Sequence, residues 1–499
     1  MSRAGRVARN AGFNVLTGVV TSVALFATGV LVARALGPDD TGVYNLLTFS
    51  VVVVVTLASS GLGIAASKYV GQFDAAEGEA QVAAVIRFAI RACAVATIAL
   101  AGLLASAAPG LASLFGQPGE GALFALAALA AVPLALRRAV EGSLQGLQRQ
   151  AVLLPLALAQ GLGLLGGSAA VLAAGGGLAA LMLVQFGVGL AVVGLFTVAL
   201  RQATRRSPAA PLPRPLRSRM MSYAGSVTAL SALDIVVWQR SEIVLLGIFA
   251  ASEEVAYYSI AFAVADAVQQ AVPQAIQTAL FPTQSRAVET GDRVYLQQAY
   301  ETSVRLLVLV TVPVAVAGSV LAAPLIVTVY GEAYAEAVLP LQVLLFSAGA
   351  GRVGYAFSSV LYAADRERLM LKLTGVWAVL NLGLGIVLVP ALGLVGAVIA
   401  NASVQVLAVV VAPFVVRRKM GLRFPFADVL RVLAAGVPLA LVLAAVVAVV
   451  DGDLLALGVG SLLALPAYVA GLALTRAVPP AERAVLREQV QRLTGRPSG

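Results

Sequence analysis

Apolar residues run along this chain in long stretches broken by short polar punctuation. Fourteen stretches stand out: 11–34, 43–66, 84–106, 120–141, 151–174, 178–200, 223–249, 256–281, 303–329, 338–363, 371–390, 394–416, 429–450 and 454–475. Each is about 20 residues or more, enough at ~1.5 Å per residue to cross a ~30 Å hydrocarbon core. The strands of a membrane barrel would instead alternate over about 10 residues. The pattern predicts an all-α polytopic membrane protein with 14 transmembrane helices.

The connections alternate in character. On one side they are tiny: "GPDD", "GGG" at 175–177 and "DGD" at 451–453. On the other they are longer and basic, among them "SKYVGQFDAAEGEAQ", "RQATRRSPAAPLPRPLRSR", "ADRERLMLK" and "RRKMGLRFPF". Apart from Arg34, Arg240 and Arg352, the Lys and Arg residues fall in the N-terminus, the tail, or these basic loops and adjoining helix ends. Positive charge is retained on the cytoplasmic side, so both termini are expected in the cytoplasm of a multi-pass cell-membrane protein. Arg3, Arg6 and Arg9 ahead of an apolar run imitate a signal peptide. The run from Ala11 to Val32 outlasts a 7–15-residue signal core, and is expected to remain as the first span.

Composition agrees with this and narrows the chemistry. The 499 residues are 60% hydrophobic and 12% charged, against about 25% charged in soluble domains. The net charge of +10 sits in loops between spans, which argues against a nucleic-acid partner. A single Cys93 and no His leave no disulfide framework, no Cys/His metal site and no Ser-His chemistry. No cofactor is expected beyond a coupling H⁺ or Na⁺.

The Pro- and Arg-rich stretch around 201–219 divides the chain, and its halves resemble each other. "DDTGVYNLLTF" (39–49) aligns with "SEEVAYYSIAF" (252–262), matching Tyr44 with Tyr257 and Phe49 with Phe262; the same offset pairs "EGE" (77–79) with "TGD" (290–292). Six spans per half would give both copies one orientation, with a pseudo-two-fold axis along the membrane normal. The expected organisation is a six-helix bundle over 1–205, a linker at 206–222, a second six-helix bundle over 223–420, two further helices over 421–475, and a cytoplasmic tail at 476–499. Leu486, Val490 and Leu493 of the tail share a face, as in an amphipathic helix on the membrane surface or a solvated one.

Two like-oriented bundles suggest transport by alternating access around a cavity, and cavity-facing helices should carry polar stripes. In the first span Asn10, Asn14, Thr17, Thr21 and Thr28 fall on one face; in the eighth Asp266, Gln270, Gln274 and Gln277 do; in the tenth Arg352, Tyr355, Ser359 and Tyr362. The seventh span, "VVWQRSEIVLLG" (236–247), is the most charged. Asp234, Trp238 and Glu242 would share a face, with Arg240 about 160° from Glu242 on an α-helix. Asp234, Arg240, Glu242, Asp266 and Arg352 at mid-span cost roughly 2.5–3.5 kcal/mol each, on the order of 15 kcal/mol together. Either they are structural pairs, Arg240–Asp266 and Arg352–Glu242, or they line a hydrated cavity where Arg holds phosphate and carboxylates titrate or bind a cation. Arg34, at the outer end of the first span, snorkels to headgroups or serves a gate. Arg138 and Glu141 read as an interfacial pair.

At these residues the chain resembles the polysaccharide-transport family of the MOP flippase superfamily, relatives of MATE exporters and lipid II flippases. The likeness rests on "NVLTGVVTSVALFATGVLVARALGPDDTGVYNLL", "VWQRSEIVLLGIFAASEEVAYYSIAFA" and "LNLGLGIVLVPALGLVGAVIA" (380–400). It implies a V-shaped pair of six-helix bundles plus two helices. The implied activity is flipping of a polyprenyl-(pyro)phosphate-linked oligosaccharide from the cytoplasmic to the outer leaflet, among membrane lipids and alongside glycan polymerase or ligase machinery. Arg240 and Arg352 would hold the headgroup, and the accompanying carboxylates depart from that scheme. The alternative is a MATE-like exporter of organic cations coupled to H⁺ or Na⁺, which the carboxylates suit and the arginines oppose. A membrane enzyme would need larger outer loops than these.

Overall fold

The computed structural model describes residues 3–74, 79–204, 211–235 and 241–477, without the side chains of 3–12, 14, 15, 79, 203, 234, 270 and 271. Arg240, Trp238, part of the "EGE" match and the expected tail helix lie outside the described residues. All regular structure in the described residues is helical. In order the helices are α1 (Arg3–Asp74), α2 (Glu79–Leu114), α3 (Gly121–Gly146), α4 (Gln150–Ala173), α5 (Leu178–Ala203), α6 (Arg214–Asp234) and α7 (Ser241–Phe249). There follow α8 (Ser252–Glu289), α9 (Arg293–Val320), α10 (Ala322–Tyr330), a 3-10 turn (Glu332–Ala337), α11 (Val338–Ala363), α12 (Glu367–Met420), α13 (Phe426–Val449) and α14 (Asp453–Thr475).

Ten helices among the described residues are long and apolar enough to cross a membrane. Two of them, α1 and α12, are each a pair of apolar stretches joined at a glycine. Gly37 (φ 80°, ψ 177°) and Gly393 (φ 54°, ψ −129°) leave the helical region there, in conformations that side chains rarely adopt. The stretches expected at 11–34 and 43–66, and at 371–390 and 394–416, therefore meet at single-residue breaks. Helices α6, α7 and α8 are not among the ten. Arg214, Arg217 and Arg219 open α6, α7 is described only from Ser241, and α8 carries Asp266 and a series of Gln. In α8 the residues expected to line a cavity, Asp266 among them, are the ones that lower its hydropathy.

The chain forms two compact units. The first comprises Met1–Ser259 and Leu382–Ala397; the second comprises Ile260–Asn381 and Val398–Gly499. In the first unit, the second half of α1 packs on α3 through small residues. A Cβ at Gly142 would lie 2.1 Å from the Gly63 carbonyl oxygen, and one at Gly146 would lie 2.7 Å from that of Ser67. Such close approach lets backbones pack where lipid offers no hydrophobic driving force. Around the crossing, Leu62, Tyr69, Val85, Val140, Leu144 and Phe196 form a buried core. The segment 382–397 joins this unit through contacts at both of its halves. A Cβ at Gly385 would meet the Leu245 side chain at 2.4 Å, and the Leu394 backbone N–H donates to the Glu254 carboxylate. The carboxylate thus caps the helix that restarts after Gly393, where the positive end of the backbone dipole favours an anion.

Helix α6 takes in 214–222 of the stretch expected as linker. Pro215 sits in its first turn, where the missing N–H costs no hydrogen bond. Arg217 lies 5.3 Å over the Phe88 ring, so this one basic residue anchors the turn.

In the second unit, α9 is the centre. Leu307, Val308 and Val312 pack with Val360 and Leu361 of α11 and with Leu439 and Leu443 of α13. The last two helices are therefore integral to this unit's core. Tyr468 of α14 donates to the Leu309 carbonyl at 3.0 Å, and a Cβ at Gly471 would stand 2.3 Å from the Ala435 carbonyl oxygen.

Candidate functional site

The second unit holds a polar cluster inside its apolar helices. Arg352 of α11 forms a close ion pair with Asp266 of α8. Its other terminal nitrogen donates to the Tyr355 hydroxyl at 2.6 Å, and the guanidinium lies 5.5 Å from that ring's centre. Its Nε is buried with no hydrogen-bond partner. The pair is 20% and 35% exposed at its two side chains, half-open rather than sealed. Neutral donors and acceptors lie at residues near it in the chain. A Cβ at Gly351 would lie 2.5 Å from Gln405 Oε1, and Gln405 donates to Asn401 at 2.5 Å. Three residues on from Asp266, the buried Gln269 donates to the carbonyls of Thr311 and Leu345, each at 3.2 Å. These backbone groups already serve α9 and α11, so Gln269 ties three helices together at the depth of the ion pair.

The partner of Arg352 is Asp266, and not Glu242 as the structural-pair alternative had it. Glu242 belongs to the first unit, 1% exposed. There it accepts from the Ser241 hydroxyl at 3.2 Å and lies beside the fully buried Tyr258. The shared face expected of Asp234, Trp238 and Glu242 lies largely outside the described residues: Trp238, Arg240 and the Asp234 side chain are not described.

The polar stripes divide in the same way. Gln274 of α8 is exposed, while Gln270 is one of the side chains not described. Gln277 reaches Ser358 at 3.5 Å. In the tenth-span stripe, Ser359 is buried against the Ala356 carbonyl and Tyr362 is exposed, so only Arg352 and Tyr355 act together. In the first span, Thr21 and Thr28 donate to the carbonyls of Thr17 and Ala24, each at 2.8 Å. That self-satisfaction is common for Thr in membrane helices. The Asn14 side chain is not described, and Arg34 is exposed just ahead of the Gly37 break. Glu141 pairs with Arg137, at 3.9 Å, where Arg138 was expected.

Gln269, Asn401 and Gln405 were missed in the sequence. Asn401 and Gln405 are four apart, a signal open to the stripe argument; Gln269 was hidden by the choice of the 266–270–274 face.

Residues 31–339 match the family described as polysaccharide biosynthesis proteins. The chain belongs to that family. Residues 229–467 also match the lipid II flippase MurJ family. No curated protein matches the sequence. Among solved structures, a lipid II flippase MurJ in an inward closed conformation is similar over 93% of this chain and 98% of its own, with a TM-score of 0.72 at 13% identity. An inward-facing multidrug resistance MATE transporter of the MOP superfamily is similar over 80% and 94%, with a TM-score of 0.68 at 16% identity. A MOP superfamily transporter from Pyrococcus furiosus gives 0.57 at 16% identity, over 83% and 95%. At such identities the likeness is one of fold. The chain is a multi-pass membrane protein with the fold of these transporters.

Proposed function

We propose that this protein is a flippase that moves a polyprenyl-(pyro)phosphate-linked oligosaccharide from the cytoplasmic to the outer leaflet of the cell membrane, for the assembly of surface glycans. Membership of the polysaccharide biosynthesis family supports the class of process, and the match to MurJ supports a lipid-linked substrate. The reading extends to 14 spans with both termini cytoplasmic: α1 and α12 count twice for their glycine breaks, and α6–α7 and α8 cross despite their polar residues.

The observation that carries the mechanism is the half-exposed Arg352–Asp266 pair within an apolar bundle. A permanently charged guanidinium kept there costs about 2.5–3.5 kcal/mol unless something repays it. Asp266 and Tyr355 hold two of its edges, and Nε–H remains unspent. Phosphate oxygens accept from such a group in the bidentate manner that makes Arg, rather than Lys, suited to them. With Asp266 ionised the pair is neutral. Protonating Asp266, or drawing it to a cation, frees a positive charge for the headgroup. That is a route by which H⁺ or Na⁺ would couple to loading, with Arg240 as a second headgroup contact. The cycle moves the substrate and breaks no bond in it. Glycan polymerase or ligase machinery would take the product at the outer leaflet.

The test is a leaflet assay in proteoliposomes with a lipid-linked oligosaccharide, comparing wild type with Arg352→Ala and Arg240→Ala. Flipping should fall at least tenfold in each. Unchanged flipping in both would end the headgroup model. Cation export that survives both substitutions would favour the MATE-like alternative.

A further inference from the structure

The first unit contains a polar cavity that the transport reading does not use. It has a volume of about 340 Å³ and lies among α1, α3, α4 and α5, lined by Thr17, Thr21, Arg137, Arg138, Glu141 and Gln145 with apolar neighbours. Water occupies ~30 Å³ per molecule in the liquid, so the space holds a phosphate- or diphosphate-sized group with some water. The cavity sits toward the C-terminal half of α3, where Arg137, Arg138, Glu141 and Gln145 line it.

Its unspent groups are mostly donors. Arg137 gives one terminal nitrogen to Gln160 and holds the other 3.9 Å from Glu141 Oε2, too far for a hydrogen bond. The Arg137 Nε is buried without a partner, as are the Thr17 hydroxyl and Glu141 Oε2. Thr21 has committed its proton to the Thr17 carbonyl. Arg138 is exposed on the cavity wall. Two guanidiniums against one carboxylate leave a net positive charge, with an idle N–H and an idle hydroxyl. A metal cation would meet repulsion from both arginines. The complementary ligand is an anion rich in acceptors, and a phosphoryl group meets that description.

We propose that the first unit carries its own phosphoryl-anion site, in which Arg137 and Arg138 hold the anion, Thr17 donates to it, and Glu141 competes for Arg137. The long Arg137–Glu141 separation is the resting state of that competition. Anion binding draws Arg137 away from Glu141 and toward the phosphoryl oxygens. This site stands independently of the Arg352–Asp266 cluster and of the transport reading.

The phosphoryl group has two possible sources, a soluble anion or a lipid headgroup, and two arms separate them. In the first, detergent-purified full-length protein is titrated calorimetrically with inorganic pyrophosphate at fixed ionic strength. In the second, nanodiscs of phosphatidylcholine with and without a polyprenyl diphosphate are compared for protection of the protein against thermal unfolding. We expect saturable binding in at least one arm, and the arm identifies the source. Arg137→Gln should weaken it at least tenfold and Arg138→Gln several-fold. Glu141→Gln keeps both guanidiniums, removes the competitor, and should tighten binding about five- to tenfold. Because Glu141→Gln and Arg138→Gln leave Arg137 in place, they keep the test decisive if Arg137→Gln does not fold. No saturable binding in either arm, wild-type affinity in both arginine variants, or affinity unimproved by Glu141→Gln would overturn the proposal.

Discussion

Replacing Arg352 and Asp266 singly and together separates a pair that holds the bundle from a pair that holds a substrate. Removing one partner of a fully buried ion pair costs about 3–5 kcal/mol, because a lone charge stays behind. Exposed pairs are worth about 0–1 kcal/mol. At 20% and 35% exposure the Arg352–Asp266 pair lies between, so Arg352→Gln should destabilise by about 1–3 kcal/mol. Asp266→Asn should cost less, since Tyr355 still binds and faces the guanidinium, a cation–π contact worth roughly 0.5–2 kcal/mol. The double variant should then recover about 1–2 kcal/mol relative to the sum of the single changes. Denaturant unfolding in detergent measures this cycle. Flipping should not follow it. If Arg352 grips phosphate, Arg352→Gln and the double variant both lose at least tenfold in rate, about 1.4 kcal/mol of barrier. Asp266→Asn leaves an unpaired guanidinium, so headgroup affinity rises while any dependence on the coupling ion disappears. A double variant that regains both stability and wild-type flipping would show the pair to be purely structural, and the reasoning would be refuted.

Other consequences follow from packing. Gly142→Ala places a methyl where 2.1 Å separates it from the Gly63 carbonyl oxygen; α1 and α3 must move apart, and unfolding should come at least ~1–3 kcal/mol earlier. Glu254→Gln replaces the carboxylate on the Leu394 N–H by a neutral acceptor, and a loss of about 0.5–1 kcal/mol in thermal stability is expected; wild-type stability would remove the capping role. Gly393→Ala forces a side chain onto φ 54°, ψ −129° and into the Glu254 carboxylate 2.4 Å away. It should cost more than Glu254→Gln, at least ~1–3 kcal/mol. Leu439→Ala, at a fully buried α13 position against α9, should cost about 2–5 kcal/mol, whereas a loosely attached C-terminal pair would tolerate it.

The helical class and nearly every apolar stretch were legible because a membrane span is a local property: twenty apolar residues need no partner to declare themselves. The turns were legible for a related reason. Texture taken as a family mark, "LNLGLGIVLVPALGLVGAVIA", is largely backbone geometry. Gly393 supplies the left-handed turn, and a Cβ at Gly396 would stand 2.2 Å from the Leu388 carbonyl oxygen. Likewise Gly42 of the first hairpin admits the Ser252 carbonyl oxygen 1.8 Å from where its Cβ would be, and Ser252 also receives a hydrogen bond from Gln117 at 2.8 Å. The matched segments "DDTGVYNLL" and "SEEVAYYS" thus touch each other in the first unit, a role no period count discloses.

Pairing was the part that local reasoning left open, and the cause is physical. Helical periodicity says which residues share a face, but the identity of the opposite face depends on interhelical contacts that the charges themselves do not encode. Arg352 had three carboxylates to choose from by composition. What selected Asp266 is the register between α8 and α11, and that register is set by neutral residues: Gln269 bonding to Leu345 and Thr311, with Gly349 leaving room for its amide, whose nitrogen would lie 3.0 Å from a Cβ there. A buried amide bonded to two backbone carbonyls tolerates no slip of either helix, because a slip leaves polar groups unpaired in an apolar interior. Charge placement in this bundle is therefore downstream of amide and glycine placement. In a membrane helix a lone Gln among Ala and Val is the better guide to register, and the charged residue beside it is then read from the register that the Gln imposes.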